Sequence, residues 1–287
     1  MGREEWRLIR SGYLPGAMNM ALDDALLHAV ADGASPPILR LYRWQPAALS
    51  VGYAQSLDSG VDLAACRAAG LDVVRRPTGG RAVLHAREVT YAVLAPAGGL
   101  FGTSIAECYR TIAGALQRAL CSLGLAAELV PGRTRGGNDR AVCFTAPAQH
   151  ELLVDGCKIA GCSQKRRKQA FLQHGSIPLD LDLDLLERIM PLTAGEEAAG
   201  RRKTIGWLNR FSAHRLTVDQ VEEAVVNSCA EVFAVDFVES APSADELSLA
   251  GCLRGQWYAD PVWTEKGPGG TGGSVASPMA IECSSRA

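Results

Sequence analysis

The chain has 287 residues, of which 47% are hydrophobic and 21% charged, a composition typical of globular proteins rather than disordered or fibrous ones. Its 29 Lys and Arg and 31 Asp and Glu give a formal net charge of −2, which argues against bulk electrostatic binding to nucleic acid. No apolar run reaches the roughly 18 residues of a membrane span, and the charged start MGREEWRLIR lacks the apolar centre of a signal peptide. We therefore expect a cytoplasmic protein that binds neither nucleic acid nor membrane.

The chain also carries nine cysteines. An odd number of thiols in an unsecreted chain favours reduced cysteines over a disulfide framework. No CxxC pair occurs, and Cys157 and Cys162 lack a second ligand pair at zinc spacing, so we expect no metal site. The open question is whether one thiol has a chemical role.

The first half of the chain predicts strands interrupted by a few helices. Apolar spacing predicts a helix over 19–28, and a second, shorter one covers 62–69. Strands are predicted at 4–9, 38–44, 48–52, 72–75, 82–85 and 89–96, the last two as a hairpin pair. An apolar stripe then predicts an amphipathic helix that carries Ile105, Tyr109, Ile112, Leu116 and Leu120.

The second half begins with a hairpin of 149–154 and 158–163, because the Asp155-Gly156 dipeptide between them favours a type I′ turn. A strand near 170–174 follows, then helices near 182–190, 217–234 and 243–253, with a less regular lid or linker beginning at Arg201. These elements predict an α/β (α+β) fold with mixed, largely antiparallel sheets flanked by helices. We expect one domain over 1–250 and a C-terminal extension over 251–287, flexible from about 267 because its Gly- and Ser-rich sequence has little to bury.

One candidate ligand site is the segment RRPTGGRAVLH at 75–85. A strand that ends in Thr78-Gly79-Gly80 exposes backbone N–H groups that no side chain covers. The flanking Arg75, Arg76 and Arg81 add positive charge suited to an anionic or carbonyl-bearing ligand. The alternative interpretation is a tight turn with solvated arginines, with His85 as an ordinary strand-end histidine.

A second candidate pairs a thiol with an amine. An ammonium lowers the pKa of a nearby thiol, and the predicted hairpin could return Lys158 towards Cys143. The alternative is a buried apolar cysteine and a solvated strand lysine. From the residues alone, Cys143 is not distinguished from Cys157 or Cys162.

Two further segments lie next to these candidates. The run KRRK at 165–168, with Arg133, Arg135 and Arg140 upstream, indicates either a solvated loop or a docking surface for an acidic protein. The segment QHGS at 173–176 indicates either another close backbone approach to a ligand or a strand end.

Three motifs, RRPTGGRAVLH, ELLVDGCKIAGCSQ and LQHGSI, together resemble the lipoate-protein ligase and octanoyltransferase superfamily. The segments MNMALDDALL and LSVGYAQ also fit, so the resemblance covers about 6–238. The segment AVCFTAP, followed fifteen residues later by Lys158, is similar to the octanoyltransferase branch typified by Gram-positive bacterial enzymes. The resemblance implies a biotin/lipoate ligase-like catalytic domain in which Cys143 forms an acyl-thioester and Lys158 lowers its pKa.

The resemblance also implies substrates. Octanoyl-acyl carrier protein would be the donor, a glycine-cleavage H protein or a dehydrogenase E2 lipoyl domain the acceptor, and no cofactor is needed. The expected substrate-binding residues are Arg75, Arg76, Thr78, Gly79, Gly80, Arg81, His85, Gly161, Ser163, His174 and Gly175.

Two other functions remain open from the sequence. In an ATP-dependent lipoate-protein ligase that makes lipoyl-AMP, Lys158 would contact the acyl-adenylate and Cys143 would be incidental. A non-catalytic protein would instead dock lipoyl-type domains through the basic run.

Overall fold

A computed structural model describes residues 2–57, 60–130, 151–192 and 198–269 of the chain. Its helices are α1 (Gly16–Ala31), α2 (Leu63–Ala68), α3 (Ile105–Ser122), α4 (Leu183–Ile189), α5 (Ala198–Thr204), α6 (Leu208–Phe211), α7 (Val218–Phe233), α8 (Ala244–Leu253) and α9 (Pro261–Lys266). Its strands are β1 (Glu4–Leu14), β2 (Ile38–Trp44), β3 (Ala48–Val51), β4 (Asp72–Arg75), β5 (Val83–His85), β6 (Arg87–Pro96), β7 (Glu128–Leu129), β8 (Leu152–Val154), β9 (Cys157–Lys158), β10 (Gly161–Arg167), β11 (Ala170–Asp180) and β12 (Val235–Glu239). Within these ranges, no helix combines the length and apolar character that crossing a bilayer requires.

A six-stranded sheet in the order β10-β11-β6-β2-β1-β12 forms the centre of the fold. β1 runs parallel to β2 and β12, whereas β2, β6, β11 and β10 pair antiparallel. β6 and β11 are buried along nearly their whole length, because each has a strand on both sides and helices cover the sheet. The predicted mixed, largely antiparallel sheet flanked by helices is confirmed.

Helices cover both faces of this sheet. On one face α3 and α7 bury apolar stripes, and each begins at a capping box, Ser104 with Glu107 and Thr217 with Gln220, that satisfies the first backbone N–H groups. On the other face lies α1, which is buried on almost all sides between the sheet and α8. Polar side chains of α1 therefore need partners inside the protein.

The predicted hairpin of 82–85 with 89–96 is wrong. β5 pairs with β3 in a separate sheet of order β4-β3-β5, and β6 pairs with β2 and β11. Both edges of β6 are thus occupied by other strands. At the junction the chain changes sheets, with Nδ1 of His85 2.7 Å from Oε1 of Glu88.

The predicted hairpin around Asp155-Gly156 is correct for its first part. β8 and β9 pair across this turn, and Asp155 and Gly156 both have the positive φ of a type I′ turn, 48° and 72°. The second predicted strand, however, ends at Lys158. Residues from Gly161 onward leave as β10 and join the six-stranded sheet.

The run at 165–168 and the stretch beginning at Arg201 are both more regular than predicted. The run at 165–168 is not a solvated loop, because it forms the end of β10 and the turn into β11, where Lys165 pairs with buried Asp24 and Lys168 with Asp32. The stretch beginning at Arg201 lies in α5, and Arg202 pairs there with Asp184 and Glu187.

The predicted domain boundary at 250–251 lies inside α8, so the chain has no structural break there. The helix continues as a π-helical turn, Arg254–Tyr258, before α9. Trp257, Tyr258 and Trp263 pack into the same apolar cluster as α1. Residues up to Trp263 therefore contribute to this cluster, and most of the tail predicted to be flexible, 270–287, lies outside the described residues.

Candidate active site

Strands of the six-stranded sheet and of the sheet β4-β3-β5, together with α1, enclose a cavity that is partly open to solvent. The lining residues are Met20, Tyr42, Trp44, Ser50, Arg76, Gly80, Val83, His85, Thr90, Gly161, Cys162, Ser163, His174, Gly175 and Ser176. The cavity thus combines large apolar side chains with a small set of polar groups.

The turn after β4 is held by Arg76. Its guanidinium donates hydrogen bonds to the carbonyl oxygens of Gly79 at 2.7 Å and Arg81 at 2.8 Å, and to Ser50. Gly80 has φ +92°, and a Cβ there would lie 2.7 Å from Arg76 Nη2. Glycine is therefore required where the backbone closes around this guanidinium.

One polar chain runs from α1 to the cavity. Asp23 Oδ2 lies 2.9 Å from Nδ1 of His174, and His174 Nε2 lies 2.6 Å from the Thr78 hydroxyl. The Thr78 hydroxyl in turn lies 2.7 Å from that of Ser163, which lines the cavity. Arg40 donates to the other oxygen of Asp23 at 2.6 Å. We call Asp23, His174, Thr78 and Ser163 the His174 chain.

The charges in the His174 chain follow from burial and pairing. Burial works to raise the pKa of Asp23, but Arg40 and then His174 outweigh it, so the pKa lies below its ordinary value. Burial lowers the pKa of His174, and Asp23 offsets this only in part. The chain therefore holds a carboxylate beside a neutral imidazole at neutral pH.

A second polar chain lies on β3, β5 and β6. Nδ1 of His85 faces Glu88, and Nε2 lies 2.7 Å from the Ser50 hydroxyl, which also accepts from Arg76 at 3.2 Å. Thr90 and Ser176 donate to Glu88, and the His85 ring stacks on Trp44 with centroids 4.1 Å apart. Burial works to raise the pKa of Glu88, but His85 and the donated hydrogen bonds bring it below its ordinary value. We call Glu88, His85, Ser50 and Arg76 the His85 chain.

Arg75 has a different environment from its neighbour Arg76. It is buried and does not line this cavity. Its guanidinium donates to the carbonyl oxygens of Gly52, Tyr53, Gln55, Trp263, Thr264 and Glu265. Arg75 thus joins the loop after β3 to helix α9, and its predicted contact with substrate stays a prediction.

The structure brings most of the other expected substrate-binding residues together. Arg76, Gly80, His85, Gly161, Ser163, His174 and Gly175 line the cavity. Thr78 lies behind Ser163, whereas Gly79 and Arg81 contribute carbonyl oxygens that accept from Arg76. Sequence analysis missed Asp23, Ser50 and Glu88, although a carboxylate in the apolar run MALDDALL is a signal of a buried partner.

Of the expected thiol–amine pair, the structure describes Lys158 but not Cys143. Lys158 is buried, and its ammonium pairs with the carboxylate of Glu151, a partner that sequence analysis missed. Cys143 lies outside the described residues, as do Arg133, Arg135 and Arg140. Of the two alternative thiols, Cys162 lines the cavity, while Cys157 lies with Sγ 2.9 Å from the carbonyl oxygen of Lys203. The described residues contain no metal-binding group of three or more His, Cys, Asp and Glu side chains.

Comparison with known proteins places this geometry in a family. The lipoyl protein ligase A/B catalytic domain matches residues 15–230. The chain is 41% identical over 280 residues to octanoyltransferase LipM of Geobacillus kaustophilus, a match that covers 93% of this chain and 100% of that protein.

Two solved structures share the fold. The crystal structure of lipoate-protein ligase A bound with ATP has a TM-score of 0.78 and 28% identity, covering 91% of this chain and 98% of that one. A structure from the study of the bi-partite lipoate protein ligase and its E2 lipoyl domain from Thermoplasma acidophilum has a TM-score of 0.77 and 26% identity, covering 95% and 100%. The predicted ligase-like fold is thus confirmed, and the chain belongs to the lipoyl protein ligase A/B catalytic domain family.

Proposed function

We propose that this chain is an acyltransferase that moves an octanoyl group from a carrier-protein thioester to a lysine of a lipoyl-type domain, in the biosynthesis of protein-bound lipoate. The observation that carries this proposal is its 41% identity, over nearly the whole of both chains, to an octanoyltransferase LipM. The cavity adds support, because it joins an apolar lining to a set of polar groups.

The apolar lining offers a place for the eight-carbon tail. Met20, Tyr42, Trp44 and Val83 present hydrocarbon or aromatic surface to the cavity. Each buried methylene contributes about 0.8 kcal/mol. A site that buries most of the tail therefore distinguishes octanoyl from much shorter acyl groups.

The proposed chemistry proceeds through an acyl-cysteine. The Cys143 thiolate, favoured by the Lys158 ammonium, attacks the donor thioester, and exchange of one thioester for another is nearly isoenergetic. Attack by the acceptor lysine then converts a thioester into an amide, which is downhill. Backbone N–H groups of the Thr78-Gly79-Gly80 turn would stabilise the oxyanion. This route consumes no nucleotide.

Octanoyl-acyl carrier protein is the proposed donor, and an E2 lipoyl domain or a glycine-cleavage H protein is the proposed acceptor. An E2 lipoyl domain is supported by the Thermoplasma acidophilum ligase, which is described together with its own E2 lipoyl domain. The reaction requires a thiol in its reduced form, so a reducing compartment such as the cytoplasm suits it.

The test mixes the protein with octanoyl-carrier protein and an isolated lipoyl domain without nucleotide, and measures the mass of the lipoyl domain. We expect one octanoyl group to be added by the unaltered protein and by Cys162→Ala, but not by Cys143→Ala. Modification of the domain by Cys143→Ala from lipoate and ATP would instead establish a ligase.

A separate measurement tests Lys158. If its ammonium favours the thiolate, Lys158→Ala slows alkylation of Cys143 by iodoacetamide at neutral pH. An unchanged alkylation rate would contradict that role.

A further inference from the structure

The hydrogens of the His174 chain can be assigned one by one. Asp23 is a carboxylate and accepts the Nδ1 hydrogen of His174, so Nε2 of the neutral ring is an acceptor. A hydroxyl has a single hydrogen, and the Thr78 hydroxyl, 2.6 Å away, gives its own to Nε2. Ser163 must then give its hydrogen to Thr78. Ser163 consequently presents oxygen lone pairs to the cavity.

Protonation of His174 would reverse the two hydrogen bonds that link Nε2 to Thr78 and Thr78 to Ser163, while Nδ1 would still donate to Asp23. An imidazolium donates from Nε2, so Thr78 would donate to Ser163 and the Ser163 hydroxyl would point its hydrogen outward. The chain therefore has two states that differ by one proton gained at the cavity. Such a chain suits a ligand group that has a hydrogen to lose, and it does not suit a carbonyl oxygen, which needs donors.

We propose that Ser163, Thr78 and His174 form a proton relay that accepts the proton of the attacking lysine amine, with Asp23 as the positioning residue of His174. This inference rests on the proposed function. It concerns the second half of that reaction, in which an amine with two hydrogens becomes an amide with one.

Transfer to the amine makes one bond and breaks one bond at the thioester carbon. The amine nitrogen forms a bond to the thioester carbon, the carbon–sulfur bond breaks, and sulfur leaves with the electron pair as a thiolate. The amine hydrogen moves to Ser163 Oγ, the Ser163 hydrogen to Thr78 Oγ1, and the Thr78 hydrogen to Nε2 of His174. The proton returns to solvent through the same two hydroxyls after the amide product leaves.

The surroundings of His174 suit this role. Burial keeps the resting ring neutral, as do the facing positive charge of Arg76 and the facing His85, whereas Asp23 stabilises the imidazolium once it forms. Arg40 and Tyr42 hold the Asp23 carboxylate in place, at 2.6 and 2.8 Å. The arrangement follows the logic of a carboxylate–imidazole–hydroxyl triad, with one more hydroxyl inserted.

The experiment separates amine from thiol acceptors. Enzyme carrying the acyl group is prepared in advance, and transfer is followed in single turnovers to a lipoyl-domain lysine or, in reverse, to the thiol of the carrier protein. A thiolate has no proton to lose. We expect His174→Gln and Thr78→Val to slow amine transfer by about 10²–10⁴-fold and to leave thiol transfer unchanged.

Matched variants complete the test. Thr78→Ser keeps a hydroxyl and should restore amine transfer, and His214→Gln, at an exposed histidine outside the cavity, should match the unaltered protein. If His174→Gln does not fold, the comparison of Thr78→Val with Thr78→Ser decides the outcome. Equal losses towards amine and thiol would overturn the relay. Failure of the unaltered chain to form an acyl-enzyme would overturn the proposed function itself.

Discussion

Two histidines line the same cavity, and each is held by a buried carboxylate at Nδ1 and faces a hydroxyl at Nε2. The two hydrogen-bonded chains that contain them, the His174 chain and the His85 chain, differ at their ends. The His174 chain ends in the Ser163 hydroxyl, whereas the His85 chain ends in the Arg76 guanidinium. The same local arrangement therefore presents acceptor oxygens on one side and a positive charge on the other.

The carboxylates of the two chains also differ in their partners. Asp23 pairs with the buried guanidinium of Arg40, whereas the hydrogen bonds described for Glu88 come from His85, Thr90 and Ser176. One chain is thus anchored by a buried ion pair and the other by neutral donors and one imidazole. Similar hydrogen-bond patterns in one site can therefore depend on unequal electrostatic support.

We expect the largest loss of unfolding free energy when the carboxylate of the Asp23–Arg40 ion pair is removed. Asp23→Asn leaves Arg40, which is fully buried, without a carboxylate, and removing one partner of a buried ion pair costs about 3–5 kcal/mol. Glu88→Gln removes only acceptors of hydrogen bonds, which costs about 1–3 kcal/mol. Urea unfolding of both variants should show the larger loss of unfolding free energy for Asp23→Asn. Equal losses would mean that the two chains are supported alike.

An intermediate effect is expected where both chains share an anchor. The turn after β4 supplies Thr78 to the His174 chain and Arg76 to the His85 chain. Arg75 precedes this turn, and carbonyl oxygens near Gly267 accept hydrogen bonds from its guanidinium. Gly267 has φ +62° and ψ −160°, and an added Cβ would lie 3.1 Å from the Arg75 guanidinium carbon. Gly267→Ala should therefore lower the unfolding free energy by about 1–3 kcal/mol.

The control for Gly267 is Gly255→Ala, where an added Cβ meets open space at ordinary φ. The same Gly267→Ala protein should lose acyl-enzyme formation and amine transfer by similar factors, because both chains are loosened together. A loss confined to amine transfer would show that the anchor supports the His174 chain alone.

The smallest effect is the pH dependence of stability. The pKa of His174 in the folded protein lies below the ordinary 6.5, so the unfolded chain binds more protons between the two values. The neutral His174 imidazole therefore contributes to the unfolding free energy in full above about pH 6.5. This contribution is lost as pH falls through the pKa of His174 in the folded protein, at up to about 1.4 kcal/mol per pH unit. His28, whose pKa burial also lowers, acts in the same direction.

Unfolding free energies between pH 7 and 5 should therefore fall with acidification, and His174→Gln should flatten the slope, whereas exposed His214→Gln should keep it. Asp23 does not interfere in this range, since its pKa lies below its ordinary 3.8. An unchanged slope in His174→Gln would contradict a neutral buried imidazole.

Sequence patterns predicted most local features of this fold. The bounds of β2 and β4 and the Asp155-Gly156 turn follow from short-range spacing and turn chemistry, and the predicted ranges agree with the structure. The partners predicted for β5 and for the residues of β10 were wrong, because strand pairing is decided by residues far away in sequence. The hairpin signal at 82–96 could not show that β6 lies between β2 and β11.

In the candidate site, too, local motifs were predicted and long-range contacts were not. Motif resemblance identified Arg76, His85 and His174 among the cavity residues, but it treated Arg75 and Arg76 alike. What separates them is the position of α9, about 190 residues along the chain from Arg75. Glu151 was missed for a different reason, since a lone glutamate near a turn carries no signal of the lysine it will pair with.

The most direct test of the acyl-cysteine account is peptide mapping of the protein after incubation with octanoyl-carrier protein in the absence of nucleotide. The account predicts a hydroxylamine-sensitive octanoyl group on the peptide that contains Cys143. An octanoyl group on Cys162, the thiol that lines the described cavity, or no adduct at all, would contradict it.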